Sequence, residues 1–72
     1  MSEVGRHLIR RAIADLQRSV SGNPTHRAIN HAYAIASIEM AYAESCITDA
    51  EHDEFSRQVH QVELDSREVA SA

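Results

Sequence analysis

Apolar side chains recur at positions 4, 8, 9, 12, 13, 16 and 20, which is helical spacing with one apolar face. This pattern predicts a first helix over about 3–20, with Ser2 as its N-cap. The stretch Ser21-Gly22-Asn23-Pro24 then interrupts it. Gly22 is suited to a left-handed cap, Asn23 to capping the next helix, and Pro24 to that helix's first turn. A connection this short predicts an antiparallel helical hairpin, although DNA-reading helix-turn-helix units use short turns as well.

A second helix is predicted over about 24–46, and its apolar positions do not form one stripe. At about 100° per residue, Ile29, Ala32, Tyr33, Ala36, Met40, Ala43 and Ile47 fall on one face. Roughly opposite lie His31, Ile35, Ile38 and Tyr42, with Ala28 and Cys46 at the edge. A third helix is predicted from about 49 to 65. It opens on the capping box Thr48-x-x-Glu51 and carries Phe55, Val59, Val62 and Val69 as a narrow stripe. Past Leu64 the pattern weakens, and a frayed tail is expected over 66–72.

The expected fold class is therefore all-α: an antiparallel helical hairpin plus a third amphipathic helix, in a single domain spanning the 72 residues. A domain of this size draws only about 3–5 kcal/mol from one core. Cys46 is the single cysteine, so no disulfide forms within the chain, and no Cys/His cluster offers a structural zinc. Self-association is the remaining source of stability. Two opposed apolar faces on the middle helix call for two partners. The expectation is a homodimeric helical bundle in which one face packs within the hairpin and the other crosses a two-fold axis. On this reading Ile35, Ile38, Tyr42 and His31 form the dimer seam or dock another protein.

Charge adds two further surfaces. Residues 1–27 carry five arginines against Glu3 and Asp15, whereas residues 28–72 carry Arg57 and Arg67 against nine acids. Glu44, Asp49, Glu51, Asp53 and Glu54 gather around the start of the third helix, an acidic surface for a basic partner. Arg6, Arg10, Arg11 and Arg18 lie opposite the apolar stripe of the first helix, a row able to contact phosphates. The two clusters can also meet each other across a dimer interface. Arginine without lysine, beside abundant alanine, suits a GC-rich bacterial or phage genome.

Little points to catalysis. Neither His26 with His31 nor His52 with His60 shares a helix face well, and no HExxH motif occurs. Cys46 falls near the end of the second helix, where the helix dipole disfavours a thiolate. Two glycines cannot build a phosphate-cradling loop. No enzyme activity, metal or other cofactor is expected. The N-terminal segment is charged from Glu3 and has no apolar region of the secretory kind. The longest apolar stretch is interrupted by Glu39 and Glu44 and is too short for a bilayer, so a cytoplasmic protein without membrane contact is expected.

Residues 38–59, IEMAYAESCITDAEHDEFSRQV, resemble the helix–"IT-x-x-E"–helix hairpin of SHOCT-type domains and of many small phage and plasmid proteins. Ile47, Thr48, Glu51 and Phe55 carry the resemblance. Those hairpins usually have glycine before the isoleucine, where this chain has Cys46. The resemblance implies a small oligomerisation or interaction hairpin and no activity. The expected function is a non-enzymatic regulator, adaptor or mobile-element inhibitor that binds a partner protein through a helical surface. The alternative is a nucleic-acid-binding transcriptional regulator using the arginine face of the first helix.

Overall fold

The computed structural model of the chain describes residues 2–20 and 22–71. Three helices follow one another: α1 (Ser2–Arg18), α2 (Pro24–Ala43) and α3 (Asp49–Ser71). No strand occurs among the described residues. The particle measures 40 × 19 × 15 Å, long in the direction of the helices.

The ends of the helices show which local rules operate. α1 begins at Ser2 itself, whose side chain lies outside the described residues, and stops at Arg18, two residues short of the expected end. The Ser19 amide donates to the carbonyls of Asp15 and Leu16, and the Gly22 amide donates to Ser19 O at 3.1 Å. Gly22 does not adopt the left-handed conformation, since no described glycine has positive φ. The turn closes instead through these tightened backbone bonds. Asn23 does cap α2: its backbone is extended and its side-chain oxygen accepts the Thr25 amide at 2.7 Å.

The left-handed residue appears at the other junction. α2 ends at Ala43 rather than at Cys46, and Ser45 has φ 60°. The Cys46 amide donates to Ala41 O at 2.8 Å and the Ser45 amide to Tyr42 O at 3.0 Å. These two bonds make a Schellman motif with Ser45 at the position that glycine usually fills. Two residues later the expected capping box forms. The Thr48 amide donates to Glu51 Oε1 at 2.9 Å, and the Glu51 amide donates to Thr48 Oγ1 at 3.1 Å.

α3 runs on past Leu64 to Ser71. The reason lies in its stripe: Phe55, Val59 and Val62 are followed at the same spacing by Ser66, which is buried although polar. A hydrophobicity pattern passes over such a serine.

One core joins all three helices. α1 supplies Ile9, Ala12, Ile13 and Leu16; α2 supplies Ala34, Ile38 and Ala41; Ile47 comes from the connection; α3 supplies Phe55, Val59 and Val62. The core line of α2, through Ala34, Ile38 and Ala41, takes only Ile38 from the second face assigned from the sequence and uses two alanines as close-packing points. With Ile38 only 1% exposed, it belongs to the interior of one chain and is not part of a surface.

Candidate interaction surface

α3 covers the side of α2 expected to form a dimer seam. The Tyr42 ring lies 4.4 Å from the His52 ring, centroid to centroid, and its hydroxyl donates to Asp49 at 2.6 Å. That hydrogen bond, with the Asp49 charge behind it, pushes the Tyr42 pKa up and keeps the phenol protonated. His52 Nε2 meets Glu39 at 2.7 Å, and His31 Nε2 lies 3.8 Å from Glu63. Ile35 and Tyr42 remain exposed over 38% and 40% of their surface. Of the four residues expected at the seam, Ile38 is core, Tyr42 and His31 meet α3 within the same chain, and Ile35 is exposed.

The acidic cluster is likewise occupied. Arg6 of α1 reaches across to Glu51 through both Nε and Nη2, the latter at 2.9 Å, and also pairs with Glu3. The Arg6 bonds, followed by the Thr48 amide, hold the Glu51 carboxyl at about 2 instead of its ordinary 4.5. Asp49 accepts Tyr42, Asp53 lies 3.7 Å from His52 Nδ1, and Glu54 pairs with Arg57 at 2.7 Å. Only Glu44 of the five engages no side chain in this way. The meeting of arginines and acids imagined between two chains thus occurs inside one, at Arg6–Glu51.

Those pairs also thin the row of arginines. Arg6 is engaged, Arg18 pairs with Asp15 one turn earlier, and Arg10 and Arg11 stand exposed on α1. Cys46 is half-buried, with its Cβ 3.3 Å from the point that a Cβ on Gly5 would occupy. Among the described residues, no three His, Cys, Asp or Glu side chains converge as a metal site would require. No described helix is long and apolar enough to cross a membrane.

What stands open is the other face of α2, the one expected to pack within the hairpin. Ile29 and Met40 expose 60% and 68% of their surface, and Tyr33 more than half. Leu8 of α1 is exposed beside them. Between the two helices runs a groove with a concavity of about 420 Å³, walled by Leu8, Tyr33, Ala36 and Met40 and floored by Gly5 and Ala41. A second concavity of about 330 Å³ continues it past Leu8 and Tyr33 to Ile29 and Arg11. Gly5 keeps its upper end open, since a side chain there would meet Ala41 and Cys46. The sequence lists these residues correctly as one face and assigns them the wrong neighbour. A comparison with family models, curated proteins and solved structures finds no match for this chain.

Proposed function

We propose that this chain is a non-enzymatic protein-interaction module, a small cytoplasmic regulator or adaptor of the inhibitor type found on phages and mobile elements. It acts by covering a surface of its partner with its own helices. The observation that carries this reading is the open apolar groove between α1 and α2, into which a helix can lay an apolar face. Large contiguous apolar surfaces of this kind are characteristic of interaction sites.

A second reading, phosphate contact by α1, draws on the exposed guanidinium groups of Arg10, Arg11 and Arg18. Two experiments separate the readings. In affinity capture from cells that encode the protein, a partner held by the wild type and lost with Met40→Glu supports the interaction module. Salt-sensitive retention on duplex DNA, abolished by Arg10→Ala/Arg11→Ala and accompanied by no captured protein, overturns it in favour of nucleic-acid binding.

A further inference from the structure

We infer that the occupant of the open face is a second copy of this chain, packed antiparallel with Ala36 on the two-fold axis. The inference deepens the interaction reading above and rests on it. On α2, Ile29, Ala32, Tyr33, Ala36, Met40 and Ala43 fall within a sector of about 100°, and all six are exposed. A sector of that width is what an amphipathic helix ordinarily buries. It runs for about 21 Å, and its spacing of three and four residues is that of a helix–helix seam.

The order of large and small residues selects the symmetry. Ala36 is the midpoint between Ile29 and Ala43. A two-fold axis through it brings Ile29 level with Ala43 of the other copy, and Ala32 level with Met40. Ile29 and Met40 then each meet an alanine, Tyr33 comes level with Glu39 at the margin of the sector, and the two Ala36 methyl groups meet at the axis, where backbones approach most closely. Facing layers that alternate large and small in this way interdigitate. A parallel pair would instead stack Ile29 on Ile29 and Met40 on Met40, leaving gaps at the alanines.

Area and charge agree with this pairing. The exposed parts of Leu8, Ile29, Tyr33 and Met40 make a patch of roughly 500 Å², near the upper end of what a monomer leaves bare. Two such patches with their rims approach the roughly 1,200 Å² at which specific interfaces begin. No charged residue interrupts the sector. Glu44, at its edge, comes level with position 28 of the other copy, close to the positive start of a helix that has no acid in its own first turn.

The test is the mass in solution combined with a cross-link. Light scattering should give twice the 8.0 kDa chain mass for the wild type. Met40→Glu should weaken association at least about 30-fold while circular dichroism reports unchanged helicity, because Met40 touches solvent in the single chain. In a Cys46→Ala background, Ala36→Cys should oxidise to a covalent dimer under mild conditions, and Gln58→Cys on α3 should not. A wild type still monomeric at several hundred micromolar overturns the second copy. So does a dimer that Met40→Glu leaves intact and Ala36→Cys fails to cross-link. If that monomer nevertheless captures a protein through Met40, the interaction reading survives and the second copy alone fails. If the dimer dissociates with Met40→Glu but duplex DNA is the sole ligand, the second copy stands and the interaction reading fails.

Discussion

Shortening Ile38 in two steps, to valine and then to alanine, tests whether this side chain belongs to the interior of one chain or to a seam between two. Ile38 is 1% exposed, among the most deeply buried large side chains, and it shares the core with residues of α1 and α3. Removing one methyl group from such a site costs about 1 kcal/mol, and truncating to alanine costs about 2–5 kcal/mol once the cavity is included. A domain of this length holds about 3–5 kcal/mol in total. Ile38→Val should therefore lower the melting temperature by about 4–8 °C, while Ile38→Ala should leave the chain largely unfolded. Ile35→Ala, three residues away and already 38% exposed, should cost only about 1 kcal/mol. Circular dichroism at 222 nm during urea titration reads all three, repeated at high concentration and at a dilution where any dimer has dissociated. The penalty at Ile38 must persist on dilution. If wild type and Ile38→Ala converge in the dilute samples, the side chain works between chains and the packing described here is wrong.

Three more outcomes follow from local chemistry. The Glu51 pKa is held at about 2, below its ordinary 4.5, so its stabilising effect is present above about pH 4.5 and disappears as pH falls towards 2. Urea midpoints across that window should show this acid limb, and Glu51→Gln should flatten it. For His52 the sign is opposite. The Glu39 hydrogen bond raises its pKa above 6.5, so its contribution is complete below that pH and is lost as pH rises through the raised value. A proton NMR titration should place His52 above 6.5, and Glu39→Gln should bring it down; an unshifted His52 refutes the contact. Ser45 sits at φ 60°, where a side chain costs about 1–2 kcal/mol. After the greater backbone freedom of glycine in the unfolded chain is counted, Ser45→Gly should stabilise by about 0.5–1 kcal/mol in thermal unfolding. A loss of stability would show that the hydroxyl matters more than the backbone.

Three helices, the Asn23 cap and the Thr48–Glu51 capping box were legible in the chain because each depends on residues within a turn or two of one another. The same locality explains the errors. Gly22 invites a left-handed turn, but Ser45 takes that conformation because the Schellman bonds to Ala41 and Tyr42, together with the path into Ile47, require it there. The tail was expected to fray because the apolar pattern weakens past Leu64, yet Ser66 continues the stripe of α3 and is buried. Within the candidate surface, the membership of each α2 face follows from helical geometry alone. Leu8 counts as a core residue by spacing, and only its place beside Tyr33 and Met40 makes it part of an open groove.

The sequence by itself determined the three helices, the Asn23 cap and the Thr48–Glu51 capping box, and the existence of two apolar faces on the middle helix. All three arise from side-chain order along one chain and from interactions a few residues long. Which face α3 would cover was decided by the tertiary structure. The wheel is nearly symmetric, so the choice depends on groups far apart in sequence. Arg6 reaches Glu51, Tyr42 reaches His52 and Asp49, and His52 reaches Glu39, and together they place α3 against the Glu39 and Tyr42 side of α2. The face bearing Ile29, Ala36 and Met40 is left open because no such partner exists for it within the described chain.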